Sequence, residues 1–100
     1  MAVPHMNPAY GMRDERARRA VRRIFAQAAS GRTLTEIRDM LNSYGTRSPK
    51  GGEWTRSMVR RIIRNERYCH EEPDIPALVT ERVWEKAQAI VPHRPSEMMS

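Results

Sequence analysis

"WTRSMVRRIIRN", residues 54–65, sets four arginines among aliphatic residues at a spacing that suits a helix. At 100° per residue Val59, Ile62 and Ile63 share one side, with Met58 at its margin. Ser57, Arg60, Arg61 and Arg64 fall on the other side, at i, i+3, i+4 and i+7. The aliphatic side can be buried under neighbouring helices. The arginine side cannot, because burying an unpaired charge is prohibitive and no acidic residue is interleaved to neutralise it. A solvated face is the ordinary explanation of a charge run, but such faces mix signs: opposite charges at i, i+4 help by about 0.2–0.5 kcal/mol and like charges cost a similar amount. Here Arg60 meets Arg64 at i+4 and Arg61 meets it at i+3, so the segment accepts a repulsion that an external polyanion would relieve.

Working outward, "TLTEIRDMLNSYG" (33–45) predicts a helix over about 34–43. Thr33 and Glu36 have capping-box spacing, Leu34, Ile37 and Leu41 form the apolar stripe, and Asn42 and Gly45 close it. Upstream, "DERARRAVRRIFAQAASG" (14–31) repeats Ala17, Ala20, Val21, Ile24, Phe25 and Ala28 on one helical face. Asp14 is the N-cap candidate and Gly31 the C-terminal stop, giving a helix over about 15–30. The segment quoted first then forms a third helix, capped by Thr55 or Ser57 and running to about Arg67. Beyond the connector "EEPDIP" (71–76), "LVTERVWEKAQAIVP" (78–92) predicts a fourth, with Thr80 at its N-cap and Val79 and Trp84 spaced as a hydrophobic staple. Val83, Trp84, Ala87, Ile90 and Val91 are its expected inward residues.

Length and charge limit what such a bundle can do. One hundred residues make at most one domain, too small to surround a large substrate cavity. The net charge is +6 and the pI near 10.4, which suits a polyanionic partner, although ribosomal and membrane-surface proteins share that balance. The charge is uneven: residues 13–67 hold 15 basic and 6 acidic side chains, residues 68–100 hold 3 and 6. A single cysteine, Cys69, excludes an internal disulfide, and no apolar run approaches the ~20 residues a spanning helix needs. "MAVPHMNPAYGM" (1–12) lacks a secretory pattern, so a cytoplasmic setting is expected; residues 1–13 read as a flexible segment or tag remnant ahead of a domain at 14–91, and residues 92–100 as a frayed end.

Two helices followed by a positively charged third suit the B-DNA major groove, which admits an α-helix and presents guanine O6 and N7 to arginine. The expected architecture is therefore a small, mostly α, helix-turn-helix-like bundle of about four helices. The usual motif turns in 3–4 residues, whereas "SYGTRSPKGGEWT" (43–55) is longer. Pro49, Gly51 and Gly52 allow a tight turn or a short β-hairpin at 46–54, with Arg47 and Lys50 able to approach phosphates. A plain surface hairpin explains that loop equally well.

"IFAQAASGRTLTEIRDMLNSYGTRSPKGGEWTRSMVRRIIRNERY" (24–68) resembles the recombinase domain of the large serine recombinases, which include phage integrases and transposon resolvases. The resemblance rests on Ile24 and Phe25, Gly31, Ile37, Leu41 and Asn42, Gly45, Pro49 and Gly51, Trp54 and Thr55, Val59, Ile62 and Ile63, then Asn65 and Tyr68, in that order. "IPALVTERVWEKAQAIV" (75–91) is similar to the family's closing helix. The likeness implies a domain that grips one arm of an attachment site, with strand cleavage done by a catalytic domain outside this chain and with oligomers forming on DNA. Ser30, Ser43, Ser48 and Ser57 are accordingly not assigned as nucleophiles. His70 stands where the family usually has glycine, and a basic β-rich stretch is cut to "EEPDI", so contacts made there are not carried over.

Arg56, Ser57, Arg60, Arg61 and Arg64 are the candidates for base edges and phosphates, with Arg47, Lys50 and Arg67 on the backbone. Arg16, Arg19 and Arg23 form a second basic stripe, either solvated, touching the backbone or continuing a helix toward the catalytic domain. Trp54 and Trp84 are expected in the core rather than as base-stacking platforms. Cys69 and His70, even with His5 and His93, do not make a zinc set, so neither a metal nor another cofactor is expected, and no catalytic constellation can be assembled. A free-standing phage-type regulator, or an interaction module for an acidic protein, are the alternative readings; a small-molecule substrate and a membrane are not expected as partners.

Overall fold

The computed structural model describes residues 14–71 and 77–91, and within them the chain is a bundle of four helices without strands. The helices are α1 (Glu15–Ala29), α2 (Leu34–Ser43), α3 (Arg56–Arg64) and α4 (Glu81–Ala87), with 3-10 turns at Glu66–Cys69 and Gln88–Ile90. The expected tail segments 1–13 and 92–100, and most of the two-proline connector, lie outside the described residues.

Each helix starts where a side chain can take an orphan amide. Asp14 accepts from Arg16 N at 3.1 Å, Thr33 from Glu36 N at 3.1 Å, Thr55 from Met58 N at 3.2 Å and Thr80 from Val83 N at 3.1 Å. The Thr33 box is reciprocal, Glu36 accepting from Thr33 N at 3.0 Å. Helices α1 and α2 end alike. Gly31 (φ 98) and Gly45 (φ 70) take the left-handed position, and the amide after each reaches back five residues, Arg32 N to Gln27 O and Thr46 N to Leu41 O, both at 3.0 Å.

α1 lies against the other three helices, burying Ala17, Ala20, Val21, Ile24, Phe25 and Ala28. Leu34, Ile37 and Leu41 of α2, Val59, Ile62 and Ile63 of α3, and Ala87 and Val91 of the last segment complete one core with Trp54, Tyr68 and Leu78. Phe25 and Tyr68 meet edge to face, with ring centroids 5.7 Å apart. Of the expected inward residues in the last segment, Ala87 and Val91 are fully buried, whereas Val83, Trp84 and Ile90 are partly covered and pack on the core from outside.

Two expectations change. α3 stops at Arg64 rather than near Arg67, because Asn65 leaves the helix (φ −83, ψ 111) and its side chain caps the following 3-10 turn, accepting from Arg67 N at 3.0 Å. The hairpin allowed at 46–54 does not form: the segment is a turn closed by Gly51 N to Ser48 O at 2.9 Å and Ser48 N to Gly52 O at 3.2 Å, without strand pairing.

Candidate nucleic-acid interface

The position of α3 is fixed at both ends by side chains from other elements. At its start, Trp54 is 2% exposed and its backbone is clamped by one amide: Trp54 N donates to Asn42 Oδ1 at 2.8 Å, and Asn42 Nδ2 donates to Trp54 O at 3.2 Å. The Trp54 indole Nε1–H donates to Thr46 O at 3.0 Å, tying the long turn to the same point. At the far end, Gln88 Nε2 donates to Ile63 O at 2.7 Å and to Trp84 O at 3.0 Å, while Trp84 Nε1 donates to Asn65 O at 3.1 Å. The final helix therefore supplies donors for carbonyls that the end of α3 leaves open. Leu78 N and Val79 N both donate to Tyr68 O, at 2.9 and 3.1 Å, so the chain re-enters the fold directly against the turn that follows α3.

Held this way, α3 presents its arginines outward. Arg56, Ser57, Arg61 and Arg64 are exposed, and Arg60 is half-buried. Among the described residues none of these four arginines has a carboxylate within ion-pair distance; the charge pairs that do form, Arg19 with Glu15 at 3.5 Å and Arg38 with Asp39 at 2.8 Å, lie on α1 and α2. The first turn of α3 contains no acidic residue, whereas α1, α2 and α4 each carry a glutamate there. The positive end of the α3 dipole is thus left unneutralised, a property that suits an anion.

Arg60 differs from its neighbours. It is half-buried, and its Nε is buried without a hydrogen-bond partner. Its helical spacing placed it among the candidates, but nothing in the linear pattern separates it from Arg61 or Arg64.

Of the backbone candidates, Arg47 and Lys50 are exposed on the turn before α3. That turn is organised by Ser48, a buried polar residue whose Oγ accepts from Lys50 N at 3.3 Å. Arg67 is half-buried in the 3-10 turn beyond α3 and, like Arg47, has an intramolecular partner. On α1, Arg16 and Arg23 are exposed, and the Arg23 guanidinium lies 5.2 Å from the centroid of the Tyr44 ring.

The clamping roles of Asn42, Ser48 and Gln88 carry no advance signal: each joins residues that a local pattern does not connect. Cys69 is half-buried, its Sγ donating to Glu66 O at 3.2 Å. Partial burial, reinforced by Glu81 and Glu66, raises its pKa above the ordinary thiol value. No cluster of three or more His, Cys, Asp or Glu side chains able to hold a metal occurs among the described residues, and no helix there is long and apolar enough to cross a membrane.

Comparison with curated proteins and comparison with solved structures gave no match. A family model described as Recombinase matches residues 15–69, from the first residue of α1 through the 3-10 turn after α3. That span exceeds half the chain and contains α1, α2, the long turn and α3, and the chain therefore belongs to the recombinase family.

Proposed function

We propose that the chain binds double-stranded DNA as the DNA-binding domain of a serine-type site-specific recombinase, with α3 in the major groove. The observation that carries the reading is the division of α3: Val59, Ile62 and Ile63 are buried, while Arg56, Arg61 and Arg64 are exposed and, with Arg60, lack carboxylate partners among the described residues. α2, the turn and α3 act as a helix-turn-helix with a lengthened turn. Arg60, Arg61 and Arg64, with Arg56 and Ser57 at the helix start, face base edges and flanking phosphates, and Arg47, Lys50 and Arg67 contact the backbone. Family membership supports a role in recombination, and the ordered residues from Ile24 to Tyr68 support the serine type. Strand cleavage belongs to a catalytic domain outside this chain, and the full recombinase assembles as an oligomer on its site in a bacterial or phage-infected cytoplasm.

Fluorescence anisotropy on a labelled duplex tests this. The logarithm of the association constant should fall linearly with the logarithm of salt concentration, at about 0.9 per phosphate contact. Arg60→Ala with Arg64→Ala should flatten that line by roughly the contacts removed. An unchanged line in the double variant would take α3 out of the interface, and an acidic protein as the true partner would leave the duplex unbound at physiological salt.

A further inference from the structure

A cleft of about 960 Å³ lies between one side of α1 and the turn that precedes α3. Its cations are Arg16, Arg19 and Arg23 on one wall and Arg47 and Lys50 on the other. Asp14 is the carboxylate that lines it, and one of its oxygens is spent on capping α1 through Arg16 N. We infer that this cleft is a second nucleic-acid contact, which holds the sugar–phosphate backbone of one strand of the duplex that α3 reads. The inference rests on the DNA-binding reading above and deepens it.

The walls are built before any ligand arrives. The turn is rigidified by Ser48, whose carbonyl accepts from Gly51 N at 2.9 Å and whose hydroxyl accepts from Lys50 N at 3.3 Å, and Trp54 Nε1 ties it to the start of α3 through Thr46 O at 3.0 Å. On the α1 wall, Arg23 is held over the Tyr44 ring, which is 64% exposed. Stacking on an aromatic face orients a guanidinium without neutralising it, so its charge remains available. Arg19 has a carboxylate partner, Glu15, but both side chains are largely exposed and their 3.5 Å contact is of the kind that contributes little. A phosphate can displace it.

Shape selects the backbone rather than base edges. Bases are recessed in a groove and are reached by a convex element such as a helix, whereas a concave surface receives the protruding phosphodiester ridge. Arg16 to Arg23 spans seven residues, about 10 Å at 1.5 Å each, far enough apart to meet two different phosphates of one strand. Two phosphate contacts from Arg16 and Arg23 fit that length. Because the turn is tied to Trp54, next to the α3 N-cap, the strand held in the cleft and the groove entered by α3 would belong to one duplex.

The test uses a fluorescein-labelled, 30-base-pair mixed-sequence duplex and the full chain, with a matched pair of double variants. R16Q/R23Q removes two charges from the cleft. R22Q/R82Q removes two exposed charges outside it. Circular dichroism melts establish that both remain folded. The slope of log K against log salt should fall by about 1.8 in R16Q/R23Q, two contacts at about 0.9 each, and stay at the wild-type value in R22Q/R82Q. Wild-type slope in R16Q/R23Q overturns the cleft and leaves α3 binding intact, pointing the cleft toward an acidic protein surface. Equal losses in the two variants also overturn it, since the effect would then be diffuse charge. A wild-type chain that does not bind the duplex overturns both the cleft and the function it rests on.

Discussion

Replacing Arg60 with methionine should make the protein more stable and a poorer DNA binder. Arg60 is half-buried on α3 with its Nε buried and unpartnered, and it stands four residues after Arg56 and four before Arg64. Methionine keeps an unbranched stem of similar length and a similar helix propensity, so the packing beneath is retained. The substitution removes an orphaned donor worth about 1–3 kcal/mol and two like-charge pairs worth about 0.2–0.5 kcal/mol each. A gain of about 1.4–4 kcal/mol corresponds to a rise in Tm of roughly 6–30 °C for a domain of this size. A lost base-edge contact costs about 1–3 kcal/mol of binding, on the order of tenfold to a hundredfold in affinity. Thermal melts followed by circular dichroism and anisotropy titrations on one duplex measure both sides. A lowered Tm would mean that the Nε–H is satisfied in solution, and undiminished affinity would remove Arg60 from the interface.

Asn42→Ala strips both hydrogen bonds from the Trp54 backbone and should cost about 2–4 kcal/mol, lowering the urea midpoint with little change in m-value; a loss below 0.5 kcal/mol in that titration would show that the clamp is not formed. Gln88→Ala takes the side-chain donor from Ile63 O but also removes the unpartnered buried Gln88 Oε1, so the two effects offset and the same denaturation should shift by less than about 1 kcal/mol, whereas a larger loss would mean that Oε1 is satisfied in solution. The Cys69 thiol is pushed upward by partial burial and then by Glu81 and Glu66, so its thiolate is scarcer at neutral pH than that of an ordinary cysteine. Iodoacetamide should therefore modify native Cys69 more slowly than the urea-unfolded chain at pH 7.5, with the rate climbing only as pH passes the usual thiol range. Faster alkylation of the native chain would reverse the assigned direction.

The helices were legible because their signals are local. Thr33 with Glu36, Gly31, Gly45 and the spacing of Ala17 to Ala28 each act within a few residues, and the N-cap of each of the four α-helices is an Asp or Thr, short polar side chains that such positions favour. The arginine face of α3 was legible for the same reason, as a wheel pattern with the core on its opposite side. Besides the clamps made by Asn42, Ser48 and Gln88, two features were not. The end of α3 depended on Asn65 capping the next turn instead of continuing the helix, a choice between two local hydrogen-bonding modes that propensity does not resolve. The cleft required the α1 arginines and the Ser48 turn, some thirty residues apart, to become facing walls, and periodicity within either segment says nothing about that approach.

The central claim is that α3 and the turn before it touch the duplex while the α4 side does not, and amide shift mapping of the ¹⁵N-labelled chain, titrated with a mixed-sequence duplex at low salt, tests it most directly. The largest perturbations should fall on the amides of residues 46–64, with Arg60, Arg61 and Arg64 among them, and those of Glu81–Ala87 should stay near their free positions. Shifts concentrated on Glu81–Ala87, with residues 56–64 unmoved, would contradict the account.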